Sequence, residues 1–273
     1  MEITREIILE ELDIFLDRIF LLPEVVHAQV RDVVIQKGED RAHKLQTIME
    51  KSYHDCYSDI DLSVMVKLNP NDTIKPLGYL KRIDRFGVNT ENCLGYTFVE
   101  ESMMYRIIFK NGMRYDFGFA FEYDEHAEHL ELQPQVEEYN NPDWPLENIN
   151  RFWFVQIQAL AKLYRKDFLI ADHLANMNLN ETLVQQMVLR DLEHGTNHHR
   201  YGYEEDLAYI NHGGECTIHT DNPFFHMITD KLYAAALTYD ELVGEFYPDY
   251  EERSKYFFAI ANCYEEARRS NGN

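Results

Sequence analysis

Asp59 and Asp61 stand two residues apart in the run Asp59-Ile60-Asp61-Leu62-Ser63-Val64-Met65-Val66. The run alternates polar and apolar residues and then turns mostly apolar, as a half-buried strand does. Side chains at i and i+2 of a strand share a face. Two carboxylates so placed offer hard oxygen ligands, and Mg²⁺ is usually held by one or two such groups plus substrate phosphates. A third acid, Asp116, stands in Tyr115-Asp116-Phe117 on a later predicted strand. If that strand lies beside the first, Asp116 completes a three-carboxylate cluster suited to metal-assisted phosphoryl chemistry. Asp-x-Asp pairs are common on solvated surfaces; the apolar residues that follow mark this strand as central.

Other reactive side chains carry less. His194 and His198 have the i, i+4 spacing of metal ligands on a helix, but Gly195 ends the predicted helix between them, and neither an HExxH motif nor a matching cysteine accompanies them. With His199 they read as a loop bordering a substrate cleft. His126 and His129 sit in an acidic connector and read as solvated. His54 and Cys56 lie two apart, with no base to activate the thiol. Phe152 and Trp153 read as core anchors. Cys56, Cys93, Cys216 and Cys263 form no CxxC pair, so reduced structural thiols are expected. There is no GxGxxG and no P-loop.

The charge narrows the partners. Across 273 residues, 48 acids against 26 bases give a formal charge of −22. Such a surface repels nucleic acid phosphates and attracts cations, including metal ions and polycationic small molecules. The same excess also serves solubility alone. Aromatic content of 13% argues for a real core rather than disorder. There is no basic-then-apolar leader and no stretch approaching a membrane span, so a cytoplasmic protein without membrane insertion is expected.

These groups need a scaffold. Residues 3–20 are spaced as an amphipathic helix. Residues 24–36 read as helix running into strand, and 45–50 as a short strand. Asn69-Pro70-Asn71-Asp72 is a turn. Asn111-Gly112 is a strong hairpin signal, and strands are predicted at 104–110 and 113–121 around it. The acidic, proline-bearing stretch 122–150 reads as a connector. Helices are then expected at 150–176, 180–194, 223–244 and 249–269, with a loop at Gly213-Gly214. The expectation is an α+β chain, with a mixed-sheet domain over 1–148 and a helical bundle over 149–273.

Several segments together carry a family likeness. Ser52, a polar connector, Ser58-Asp59-Ile60-Asp61-Leu62 and a later strand bearing Asp116 resemble the polymerase-beta-type nucleotidyltransferase superfamily. Phe109-Lys110-Asn111-Gly112-Met113-Arg114-Tyr115-Asp116 is similar to the Gly-x-Arg-hydrophobic-Asp segment of the aminoglycoside 6-adenylyltransferases (streptomycin adenylyltransferases). Phe152-Trp153-Phe154-Val155 and Ala161-Lys162-Leu163-Tyr164-Arg165-Lys166-Asp167 resemble that family's signature helix. Leu192-Glu193-His194-Gly195-Thr196, with Tyr201-Gly202-Tyr203, falls where a comparable helix end and loop occur. The likeness spans roughly 45–260. Lys51-Ser52 stands where the superfamily has Gly-Ser, and the connector to Asp59 is short.

The resemblance implies a nucleotidyltransferase-like catalytic domain followed by a helical substrate-binding domain. It implies Mg²⁺ on Asp59, Asp61 and Asp116, and AMP transfer from ATP to a hydroxyl of a small, cationic acceptor, an aminoglycoside such as streptomycin or another molecule. Asp116 would bind a second metal or help deprotonate that hydroxyl. Ser52, Lys51 and Ser58, with Lys162 and Arg165, would contact phosphate. Lys162 and Arg165 read equally well as ordinary solvated helix cations. Glu100, Glu101, Asp191 and Glu193 are candidate acceptor-side acids, but no motif singles any of them out and each reads more readily as a surface acid than as a ligand. A catalytically weakened ligand-binding or sensor homologue, favoured by Lys51, and transfer to a protein hydroxyl are the competing expectations.

Overall fold

Strand alternation in 60–68 decides the architecture. In the computed structural model, β3 (Ile60–Leu68) buries Ile60, Leu62, Val64, Val66 and Leu68, while Asp61 and Ser63 stay exposed. The described residues are 5–51, 55, 57–72, 76–80, 82–130, 140–196, 206–212 and 222–270. Among them are seven α-helices and a six-stranded mixed sheet, so the chain is α+β. They divide into two compact units, 2–138 and 139–273, upstream of the boundary expected at 148/149.

In the first unit, α1 (Arg5–Phe20) is followed by β1 (Val25–Val30) and β2 (Val33–Gln36). The segment expected as helix into strand is therefore a two-stranded hairpin. Its turn is closed by Arg31, at φ 54 in the left-handed region. The strand expected at 45–50 is corrected too: α2 spans Ala42–Lys51. Leu45, Ile48 and Met49 are buried at i, i+3, i+4, the spacing that a helix requires and a strand cannot use. After β3 come the short helix α3 (Pro76–Leu80), β4 (Cys93–Val99), β5 (Met104–Phe109) and β6 (Arg114–Tyr123).

The sheet order is β2-β1-β3-β6-β5-β4, with β3 and β6 central and parallel and the other pairs antiparallel. The hairpin expected around Asn111-Gly112 is present, with Gly112 at φ 89. One face is closed by α1. Leu12, Leu16 and Ile19 are at most 1% exposed and join Leu62, Val64, Val66, Phe117 and Phe119 in one core. Phe15 packs on both Tyr115 and Phe117, with ring centroids 5.0 and 5.3 Å apart. Each such aliphatic side chain contributes roughly 1.5–3 kcal/mol by leaving water.

The second unit contains α4 (Leu146–Tyr164), α5 (Phe168–Glu193), α6 (Pro223–Phe246) and α7 (Ser254–Ser270). Helix α4 runs antiparallel to α6: Phe152 stacks on Tyr239 at 3.5 Å, and Tyr164 meets Phe225 at 5.2 Å. Phe152 and Trp153 are core residues, at 2% and 0% exposure. The single helix expected over 150–176 is two. Lys166 adopts φ 62, and the amides of Lys166 and Asp167 bond the carbonyls of Leu163 and Lys162, a Schellman stop. Asp167 then caps α5. Asn222 caps α6, with Pro223 in its first turn.

Asp240 makes the start of α7. Its carboxylate accepts from the backbone amides of Arg253 (3.1 Å) and Ser254 (2.6 Å) and from the Tyr250 hydroxyl (2.6 Å). It thereby satisfies amides that a helix start leaves unpaired. Among the described residues no helix is long and apolar enough to cross a membrane.

Candidate active site

The parallel pairing of β3 with β6 places Asp61 directly opposite Asp116. Residues opposed across a ladder share a face, here the one turned away from α1. Asp59 lies just before β3, two residues upstream of Asp61. Burial raises the Asp61 carboxyl above its ordinary value, and the charges of Asp59 and Asp116 raise it further. Arg31 and Arg106 oppose that rise. The three aspartates are thus electrostatic neighbours.

Each is also drawn to an arginine; Arg114 is the arginine of the Gly112-Met113-Arg114-Tyr115-Asp116 segment, while Arg31 and Arg106 belong to none of the segments that carry the likeness. Arg106 Nε donates to both Asp116 oxygens, at 3.1 and 3.2 Å. Arg114, 6% exposed, reaches Asp59 at 3.5 Å and donates to the Tyr57 carbonyl at 3.0 Å. Arg31 Nε lies 4.0 Å from Asp61, and the Arg31 amide bonds the Asp61 carbonyl at 3.2 Å. Among the described residues no group of three or more His, Cys, Asp or Glu is arranged to hold a metal ion. Asp61 and Asp116 are two carboxylates on one face of the sheet, the ligand type that Mg²⁺ takes. Asp61 is the open member, its side chain 60% exposed against 30% for Asp59 and 14% for Asp116.

The Arg106–Asp116 pair was not legible from the turn signal, because the loop is one residue longer than the Asn111-Gly112 dipeptide. A two-residue turn at Asn111-Gly112 would set Arg106 opposite Phe117; the observed loop has three residues, 110–112, closed by Phe109 and Met113, and this shifts Arg106 opposite Asp116. Arg31 had no signal, because a left-handed arginine in a two-residue turn breaks the usual glycine or asparagine preference.

The proposed phosphate contacts are scattered. Lys51 is the last residue of α2. Ser52, with His54 and Cys56, lies outside the described residues, as do Cys216, His198, His199, the 201–203 segment and Gly213-Gly214. The Ser58 hydroxyl donates to Asp55 at 2.8 Å, inside a turn that ends at Asp59. Lys162 and Arg165 belong to the helical unit. The Lys162 ammonium stands 3.9 Å from Asp167 at the α4–α5 junction, and Arg165 is exposed.

The acceptor-side acids differ from one another. Glu100 and Glu101 are exposed on a short turn after β4, and Glu193 is exposed at the end of α5. Asp191 is buried and bonded by Arg190 (2.9 Å) and Thr196 (3.0 Å), so it secures the helix end. That end falls as expected, at His194 and Gly195 (φ 64). His126 is exposed, and His129 bonds Asp72 at 2.8 Å. Cys93 and Cys263 are both buried.

No protein-family model matches the chain, and no curated protein matches it.

Proposed function

We propose that the chain is a Mg²⁺-dependent nucleotidyltransferase that moves AMP from ATP to a hydroxyl of a small cationic molecule, with Asp61 and Asp116 at its centre. The observation that carries this reading is their pairing across the two central parallel strands. The sheet unit is then a nucleotidyltransferase-like catalytic domain. The helical unit would bind acceptor. A cytoplasmic setting, where ATP and Mg²⁺ are supplied, goes with it.

Bound Mg²⁺ would neutralise the triphosphate and polarise the α-phosphate. Asp61 would ligate it from its exposed position, with Asp59 beside it. The acceptor oxygen attacks the α-phosphorus, its new O–P bond forming as the bond to the bridging oxygen breaks. Pyrophosphate leaves, and the hydroxyl proton passes toward Asp116. Positioning and charge neutralisation supply most of the rate in such transfers. A net charge of −22 concentrates cationic acceptors, aminoglycosides among them.

The test is mass spectrometry of candidate acceptors incubated with ATP, Mg²⁺ and protein. The reading expects addition of one AMP, lost in Asp61→Asn. No adduct on any small molecule, with an adduct on a protein, would move the activity to protein nucleotidylation.

A second reading has its own observation. Arginines already occupy the sides of all three carboxylates, as they would in a homologue that binds ligand without turnover. ATP binding indifferent to Mg²⁺, without AMP transfer, would favour it.

A further inference from the structure

On the α1 side of the sheet, opposite the face that carries Asp116, the N-terminal unit holds a cavity of about 330 Å³. Its walls come from α1, the turn at 87–92 and the tip of the β5–β6 hairpin. That volume is at the lower end of the roughly 300–1,000 Å³ range of small-molecule sites.

The turn reaches α1 only because residue 87 is glycine. Gly87 has φ 73, and a Cβ there would stand 2.9 Å from the Arg18 Cβ. This close approach sets Arg18 into the cavity wall, with one long bond of 3.5 Å to the Gly87 carbonyl.

The floor is aromatic. Tyr115 lies 5.0 Å from Phe15 and 5.7 Å, edge-on, from Phe109. Tyr115 is 2% exposed and lines the cavity. A phenol at the cavity wall offers a donor to a polar ligand atom. Burial and the nearby Glu11 carboxylate push the phenol up, so it keeps its proton and donates.

The lining charge is inverted relative to the rest of the chain. Arg18 and Lys110 face a single acid, Glu11, and the carboxamides of Asn89 and Asn92 add neutral donors. An aromatic floor beneath an excess of cations and donors suits one ligand chemistry.

We propose that this cavity binds a small organic anion with a flat apolar body, its head held by Arg18 and Lys110 and one of its oxygens by the Tyr115 hydroxyl. The site is separate from the carboxylates and does not depend on the nucleotidyl-transfer reading.

Calorimetric titration with 2-naphthoate, naphthyl phosphate and neutral naphthamide tests it. One or both anions should bind saturably, with naphthamide at least about tenfold weaker; the stronger anion identifies the head as carboxylate or phosphate. Arg18→Gln should weaken the anion about tenfold or more and Tyr115→Phe several-fold, while Asp61→Asn leaves it unchanged. Thermal melting of each variant without ligand controls for folding, and Lys110→Gln serves if Arg18→Gln does not fold. No saturable binding of either anion, equal binding of naphthamide, or affinity unchanged in Arg18→Gln and Lys110→Gln would overturn the proposal. Loss of binding in Asp61→Asn would overturn it too, by moving the anion to the carboxylate face.

Discussion

Asp240 and Asp61 are both aspartates pushed above the ordinary carboxyl value, and burial is the first cause for each. Asp240, in the helical unit, is 6% exposed and meets two backbone amides and a tyrosine hydroxyl. Asp61, in the sheet unit, has neighbours of its own sign, Asp59 and Asp116, with the Arg31 guanidinium 4.0 Å from its carboxylate. A satisfied buried carboxylate serves the fold. A carboxylate left among like charges costs the fold something, and groups of that kind concentrate where chemistry is done.

The comparison can be broken most sharply at Asp240. Asp240→Ala strands the amides that begin α7, and a loss of roughly 3–5 kcal/mol is expected in denaturant unfolding. A loss below about 1 kcal/mol would mean that the cap is dispensable. Phe117→Ala sets the scale on the other unit, at about 3–5 kcal/mol, because Phe117 is fully buried beneath α1. Asp116→Asn, one residue away on the opposite face, should cost no more than about 1 kcal/mol.

Smaller effects sharpen the contrast. Lys166→Gly should raise stability by about 0.5–1 kcal/mol, since glycine adopts φ 62 without penalty. Asp61→Asn should raise the melting temperature slightly at pH 7. The sign follows from the raised carboxyl: above its folded-state value the ionised group costs stability, and below the ordinary 3.8 both states are protonated. The gain should therefore vanish as pH falls below 3.8. A destabilised Asp61→Asn at pH 7 would show that Arg31 outweighs the repulsion.

Much of this was readable from residue spacing. The alternation in 60–68 and the Asn111-Gly112 turn locate β3, β5 and β6, and an acid on each central strand locates the candidate site. The misses have identifiable causes. Residues 45–50 are too few for periodicity to separate strand from helix, and only packing of Leu45, Ile48 and Met49 against the core decides it. The α4–α5 break is hidden because lysine stands where helix stops favour glycine. Arg114 stands in the Gly-x-Arg-hydrophobic-Asp segment, but its partner Asp59 is distant in sequence; Arg31 escaped because Asp61 is distant too, and Arg106 because the hairpin loop has three residues rather than two.

The central claim is that Asp61 and Asp116 form a metal-dependent nucleotide site. Its most direct test is calorimetric titration of ATP with and without Mg²⁺, on the wild type and on Asp61→Asn. The account predicts binding that requires Mg²⁺ and weakens about tenfold or more in Asp61→Asn. ATP binding equally tight without Mg²⁺ and in the variant, or no ATP binding at millimolar concentration, would contradict it.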